Sequence, residues 1–83
     1  MDKYLIEVYL PYTEKSYDIR IPSDITIADA INLISIALEK VTDGVYRSTK
    51  DAVLCDRENR QILDVNKTAD ELNLKNGSQL ILI

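Results

Sequence analysis

The sequence predicts a small two-layer α+β fold, in which one mixed β-sheet is covered on one side by one helix. Three observations lead to this prediction. Two segments of alternating apolar residues lie near the start of the chain, one amphipathic segment of helical period follows, and alternating apolar residues return at the end. With 83 residues, of which 46% are hydrophobic, the chain has the size of one small domain, and we expect that domain to span residues 1–83.

The first two segments, Tyr4–Leu10 and Ser16–Ile21, are predicted to form a β-hairpin. The side chains expected to face the core are Ile6, Val8 and Leu10 in the first strand and Tyr17, Ile19 and Ile21 in the second. Because side chains alternate along a strand, Leu5 and Tyr9 should share the outer side of the sheet with the charged Glu7.

The amphipathic segment predicts a helix over residues Ile27–Lys40. Thr26 is the expected N-cap, and Asp29 three residues later resembles a capping box with a shorter acidic side chain. The core stripe at 3.6-residue spacing comprises Ile27, Ala30, Ile31, Ile34 and Leu38. Leu33 and Ile36 lie away from that stripe, and a two-layer domain should leave them exposed.

Two short strands are predicted in the second half of the chain, Ala52–Cys55 and Gln61–Leu63, with a polar turn between them. Alternation that starts from Val53 places Val53 and Cys55 on the core side of the sheet and Leu54 on the outer side. A buried cysteine usually behaves as a small hydrophobic residue, so we expect a structural role for Cys55.

The last stretch contains the clearest local signals. Thr68 and Glu71 form a complete capping box and predict a one-turn helix. Asn76 and Gly77 tolerate positive φ and predict a tight turn. Gln79–Ile83 is predicted to be the closing strand, with Leu80 and Leu82 toward the helix and Ile81 and Ile83 away from it, as alternation requires.

Composition argues against several classes of function. A net charge of −4 and a pI near 4.6 disfavour nucleic acid or anionic lipid as the main partner. The chain has no histidine, no glycine-rich phosphate loop and one cysteine, and its carboxylates are scattered over turns. We therefore expect no catalytic, cofactor or metal site.

The N-terminal residues resemble no signal peptide and no apolar run approaches 18 residues, so we expect a cytoplasmic protein without direct membrane insertion.

The sequence resembles the ubiquitin-like β-grasp superfamily over nearly its whole length. The resemblance rests on Ile21-Pro22-Ser23-Asp24 before a Thr-capped helix, and on residues 63–83, with Thr68, Leu72-Asn73-Leu74, Ser78 and the alternating last strand. It implies a ββαββ order, a short helix and a last strand in the centre of the sheet, between the first strand and the strand at Ala52–Cys55.

Within the superfamily, the chain resembles bacterial YukD/EsaB-type proteins, the ubiquitin-like components of type VII (ESX/WXG100) secretion systems. The matching features are the strand around Tyr17-Asp18-Ile19, the apolar helix Ile27–Leu38 and the ending Leu72–Leu80. This resemblance implies a cytosolic accessory protein that acts by docking. Its partner would be a cytoplasmic domain of a membrane component or of the ATPase of the system.

Ubiquitin-like modifiers and sulfur carriers act through a glycine tail, whereas this chain ends at Leu82-Ile83 within a predicted strand. Its only glycines, Gly44 and Gly77, fall in predicted turns. We therefore expect a protein that is not conjugated. Three alternatives remain open: a modifier or sulfur carrier, a small β-grasp subunit of a multicomponent enzyme, and a catalytic or redox protein that uses Cys55.

The candidate protein-binding residues are the apolar ones expected on the outer face of the sheet: Leu5, Tyr9, Leu54, Ile81 and Ile83. The resemblance places the partner-binding patch on this face, with Leu54 and Ile83 at patch positions. Leu33 and Ile36 on the helix form a second candidate surface. Two alternatives remain: these residues are scattered surface hydrophobes, or the last strand has the opposite parity. An exposed apolar face would also permit a weak homodimer.

Overall fold

A computed structural model describes residues 2–83 and contains one sheet with one helix packed on it. The elements are β1 (Lys3–Leu10), β2 (Lys15–Pro22), α1 (Ile27–Val41), β3 (Leu54–Asp56) and β4 (Gln79–Leu82). The strand order is β2-β1-β4-β3, with β1 antiparallel to β2, β4 parallel to β1 and β3 antiparallel to β4. The predicted two-layer α+β architecture is confirmed, including the central position of the last strand.

The core lies between α1 and the face of the sheet that α1 covers, as the alternation of the strands predicts. The buried apolar side chains of this core are Ile6, Val8, Leu10, Ile19, Ile21, Ile27, Ala30, Ile34, Leu38, Leu54, Ala69, Leu74, Leu80 and Leu82. Tyr17 and Ile31, which were also predicted to face inward, are partly buried against this cluster. Leu80 and Leu82 are 0% and 1% exposed, so the parity predicted for the last strand is confirmed.

Backbone N–H groups at the start of α1 donate hydrogen bonds to the capping side chain and to a loop that is distant in sequence. The Thr26 hydroxyl accepts a hydrogen bond from the Asp29 N–H at 3.3 Å, which confirms the predicted N-cap. The N–H of Ile27 donates to the carbonyl of Lys67 at 2.8 Å, although such first-turn groups have no partner within a helix. The loop before Thr68 is therefore fixed against the helix N-terminus.

The capping box at Thr68 is present, but it does not begin a helix. The Thr68 N–H donates to Glu71 Oε1 at 2.9 Å, and the Glu71 N–H donates to Thr68 Oγ1 at 3.1 Å. Residues 69–73 then form consecutive turns. Asn73 adopts a φ of 59°, a left-handed conformation that ends helical geometry, so the predicted one-turn helix is wrong.

The turn before β4 joins the end of the chain to its beginning. Gly77 has a φ of 88°, which a glycine adopts without strain, and its N–H donates to the Leu5 carbonyl at 2.8 Å. The Asn76 side-chain oxygen accepts from the Leu5 N–H at 2.7 Å. The predicted Asn-Gly turn is confirmed, and it sets β4 beside β1.

The prediction for the third strand is wrong in bounds and in parity. β3 begins at Leu54, which pairs with Leu82 on the helix side and is only 1% exposed. Cys55 pairs with Ile81 and lies on the outer side, although its burial is confirmed at 6% exposure. Val53 exchanges backbone hydrogen bonds of 2.9 Å with Ile83, which places it on the outer side as well.

Two further expectations need correction. The segment Gln61–Leu63 forms an isolated bridge, from Ile62 to Cys55, instead of a full strand. Leu33 is partly buried and packs against the core, because its position on α1 is next to the buried stripe. Ile36 is 55% exposed, as the helical pattern predicts.

Tyr4 and Asp70 connect β1 to the turns that precede β4. The Tyr4 hydroxyl donates a hydrogen bond to Asp70 Oδ1. This bond favours the protonated phenol and, together with burial and the negative charges of Asp70 and Asp2, raises the pKa of Tyr4 above its ordinary value. The contact joins residues from opposite ends of the sequence.

The corrected face of Leu54 leads to a first prediction. Leu54→Ala should lower the free energy of unfolding by about 2–5 kcal/mol, because it leaves a cavity in the core. Ile62→Ala, at a side chain that is 69% exposed, serves as the control. It should change the free energy of unfolding by no more than about 0.5 kcal/mol. Urea denaturation of both variants measures the difference, and equal effects would contradict the assignment of faces.

The raised pKa of Tyr4 leads to a second prediction. The stabilising bond to Asp70 is fully present below the ordinary pKa of tyrosine, about 10, and is lost as pH rises through the raised value of the folded state. The melting temperature of the wild type should therefore exceed that of Tyr4→Phe at neutral pH, and the gap should narrow at alkaline pH. A difference in melting temperature that does not narrow between neutral and alkaline pH would show that ionisation of Tyr4 removes no stabilising bond.

Candidate protein-binding surface

The face of the sheet that α1 leaves uncovered carries a row of side chains that crosses β1, β4 and β3. Cross-strand partners in a sheet project to the same face. Tyr9 is the partner of Ile81, Ile81 is the partner of Cys55, and Cys55 bridges to Ile62. Apolar residues from β1, β4, β3 and the segment after β3 are therefore consecutive neighbours.

The row extends into an apolar surface that we call the outer patch. Its members are Tyr9, Val53, Ile62, Ile81 and Ile83. Ile62 and Ile83 are 69% and 70% exposed, whereas the other three members are partly buried. Cys55 lies between Ile81 and Ile62 and is almost fully buried. Tyr9, Ile81 and Ile83 are thus brought together as predicted.

Arg57 forms a polar boundary of the outer patch. Its guanidinium carbon lies 4.6 Å from the centre of the Tyr9 ring, a cation–π contact. Nη1 of Arg57 donates to Ser16 Oγ at 3.3 Å and is 3.7 Å from Glu7 Oε2. Because Arg57 follows β3 and its partners lie on β1 and β2, its side chain reaches across the outer side of β4.

Leu5 does not join the outer patch. Glu7 and its cross-strand partners Asp18 and Gln79 form a polar row between Leu5 and Tyr9. Leu5 is 39% exposed and contributes to a separate concavity of about 650 Å³. Lys3, Glu7, Asp18, Arg20, Asn76 and Gln79 supply most of its lining. This concavity is polar, so it differs in chemistry from the outer patch.

Leu54 and the two helix residues also lie elsewhere. Leu54 belongs to the core, so its predicted place among the exposed apolar residues is wrong. Leu33 and Ile36 lie on α1, on the opposite side of the sheet from the outer patch. The two candidate surfaces identified from the sequence are therefore separate.

The sequence did not reveal Ile62 and Arg57 as parts of this surface. Both residues reach it through the turn after β3. Asp56 pairs with Leu80, and its side chain accepts hydrogen bonds from the N–H groups of Glu58 and Asn59 at 2.8 and 3.1 Å. This turn directs the chain back along β3, and Ile62 thereby reaches Cys55.

The part of the chain that the structure describes holds no group of three or more His, Cys, Asp or Glu side chains placed to bind a metal ion. Within that part, α1 is too short to cross a membrane, and no other helix of that length is present.

No protein-family model and no curated protein sequence matches the chain. Its structure is nevertheless similar to solved ubiquitin-like domains. The ubiquitin-like domain of the Mycobacterium tuberculosis type VII secretion system protein ECCD1 superposes with a TM-score of 0.78 at 14% identity, over 100% of this chain and 99% of that one. The EccD5 ubiquitin-like domain from Mycobacterium xenopi gives 0.81 at 11% identity, over 100% and 94%.

A third similar structure is the ubiquitin of Caldiarchaeum subterraneum, with a TM-score of 0.75 at 13% identity, over 99% of this chain and 92% of that one. At these identities the likeness concerns the fold. The chain has the ubiquitin-like β-grasp fold, as the sequence predicted.

The position of Cys55 leads to a third prediction. Because its thiol is enclosed in the row between Ile81 and Ile62, it should react with a disulfide reagent only when the sheet opens. We expect modification at least about a hundredfold slower than in the urea-unfolded chain. A native thiol that reacts as fast as the unfolded one would leave open a catalytic or redox role for Cys55.

Proposed function

We propose that this chain is a non-enzymatic, non-conjugated protein-binding module that docks on a partner protein through the outer patch, and that residues 1–83 form one domain. The observation that carries this proposal is the apolar cluster on the face that α1 leaves free, where the exposed Ile62 and Ile83 adjoin the partly buried Ile81. Exposed apolar clusters with a polar border mark interaction sites on small domains.

The composition of the surface supports docking of another protein. Apolar side chains and an aromatic ring form its centre, while Arg57 and Glu7 lie on its border. Interfaces commonly combine an apolar centre with a polar rim, and aromatic residues and arginine are enriched among the residues that dominate binding energy. Arg57 already stacks on Tyr9, so part of the entropic cost of ordering its side chain is met before binding.

We further propose that the module is a cytoplasmic accessory component of a bacterial type VII-like secretion system. Two independent considerations support this role. The sequence resembles YukD/EsaB-type proteins, and ECCD1, whose ubiquitin-like domain shares the fold, is a type VII secretion system protein. The partner would then be a cytoplasmic domain of a membrane component or of the ATPase of such a system, and no nucleic acid is involved.

A matched pair of variants tests the docking surface. Ile62→Asp places a charge in the outer patch, whereas Ile36→Asp places the same charge on α1, at a residue that is also exposed. Both side chains project into solvent, so we expect both variants to fold. Ile62→Asp should weaken binding at least about thirtyfold, because a buried unpaired charge at an interface costs at least about 2 kcal/mol.

The binding partners in this test are the purified cytoplasmic domains of the host's secretion ATPase and membrane components, measured by calorimetry. Ile36→Asp should bind like the wild type. Loss of binding in Ile36→Asp with retention in Ile62→Asp would show that the binding surface lies on the helix.

Intact-mass analysis of the protein from its host tests the proposal that the protein is not conjugated. Covalent adducts or a C-terminal thiocarboxylate would contradict that proposal.

A further inference from the structure

Strand β2 has a free edge, in contrast to the opposite side of the sheet. β2 is eight residues long and, among residues 2–83, pairs only with β1. At the other side, β3 is flanked by the next segment, since the Leu63 N–H donates to the Leu54 carbonyl and the Asp56 N–H donates to the Gln61 carbonyl, both at 2.9 Å. Long unpaired edges are where another strand can add to a sheet.

The register of β1 identifies which groups of β2 face the free edge. The Glu7 N–H donates to the carbonyl of Ser78 at 2.9 Å, and the Leu5 carbonyl accepts from the Gly77 N–H at 2.8 Å. Leu5 and Glu7 thus direct their backbone groups toward β4. Since backbone groups alternate along a strand, the residues between them make the hydrogen bonds to β2.

The partners of Leu5 and Glu7 on β2 are Arg20 and Asp18. These pairs are therefore not hydrogen-bonded, and the N–H and carbonyl groups of Asp18 and Arg20 point away from β1. No backbone hydrogen bond engages them elsewhere in residues 2–83. Both side chains are exposed, and they carry opposite charges two positions apart on the outer face.

We propose that β2 pairs with β2 of a second copy of this chain, antiparallel and two-fold symmetric about Ile19. In this register Asp18 of each copy lies opposite Arg20 of the other, and each pair exchanges both backbone hydrogen bonds through groups that are otherwise free. Opposite charges directly across an antiparallel pair are attractive, and the symmetry makes this attraction occur twice.

The charges select this register over its neighbours. A shift of the symmetry axis by one residue in one direction places Asp18 opposite Asp18, and a shift in the other direction places Arg20 opposite Arg20. Like charges directly opposite destabilise a strand pair. Registers that pair the free groups of Asp18 with residues whose groups face β1 cannot form the ladder at all. Compared with these neighbouring registers, the arrangement centred on Ile19 is the one in which the charges of the edge complement each other.

The helix side of the same edge is apolar. A groove of about 620 Å³ runs between β2 and α1 and is lined chiefly by Tyr17, Ile19, Ala37, Leu38 and Val41. Leu33, Ala37 and Val41 are spaced four residues apart and share one flank of the helix. Val41 is 65% exposed. Because both helices cover the same face of the continuous sheet, the dimer brings these flanks toward each other.

Charge reversal tests the proposal. Asp18→Arg and Arg20→Asp should each weaken self-association at least about tenfold, because each change replaces two attractive pairs by two repulsive ones. An equimolar mixture of the two variants should associate again, since each supplies the charges that the other lacks. The doubly reversed variant should also self-associate. Lys75→Glu changes the net charge as Arg20→Asp does, lies in an exposed turn, and should behave like the wild type.

Sedimentation equilibrium over about a thousandfold range of concentration measures these effects, with the mass of the wild type expected to rise from 9.4 kDa toward twice that value. Hydrogen exchange at the amides of Asp18 and Arg20 should slow in parallel. Circular dichroism melting confirms that the variants fold.

Three results would overturn the proposal. A wild type that remains monomeric up to millimolar concentration excludes the pairing. Association lost in Ile62→Asp but kept in Asp18→Arg would show that the copies meet through the outer patch. Protection of the Asp18 and Arg20 amides only when another protein is added would show that the edge takes a strand of that protein.

Discussion

The pairing of β4 with β1 on one side and with β3 on the other is the constraint on which the fold depends. It pairs Val8 with Leu80, residues from the two ends of the sequence, and it buries Leu80 and Leu82 in the core. Closing so long a loop costs conformational entropy, so contacts must hold the junction in place. The Gly77 and Asn76 bonds to Leu5 and the Tyr4–Asp70 bond all lie at this junction.

The sequence shows which side chains of a strand point to the core only where a polar residue interrupts the apolar ones. Glu7 in β1 and Asp18 in β2 each lie between apolar neighbours, and Gln79 marks the outer side of β4, so these strands were predicted correctly. In the strand predicted over Ala52–Cys55, by contrast, Val53, Leu54 and Cys55 are all apolar, and either parity satisfies the pattern. The pairing of β3 with β4 determines which of these side chains point to the core, and this pairing is a tertiary contact that a local sequence pattern does not contain.

The same limit explains which parts of the candidate surface could be predicted. Tyr9, Ile81 and Ile83 follow from alternation within single strands, whereas Ile62 reaches the surface only through its bridge to Cys55. Arg57 approaches Tyr9 because the sheet order places β3 next to β4 and β4 next to β1. Contacts of this kind depend on strand order and on turn geometry. The periodicity of apolar residues in the sequence predicts neither of these.

The outer patch and the free edge of β2 lie on different parts of the molecule, and this separation has a consequence for binding. Pairing through β2 extends the sheet sideways and leaves Ile62, Ile81 and Ile83 uncovered, because they lie toward β3 and β4. A two-fold dimer of this kind presents two outer patches on the same face of one continuous sheet. When a partner is itself oligomeric, the second contact becomes intramolecular, and weak docking at each patch suffices for tight attachment of the pair.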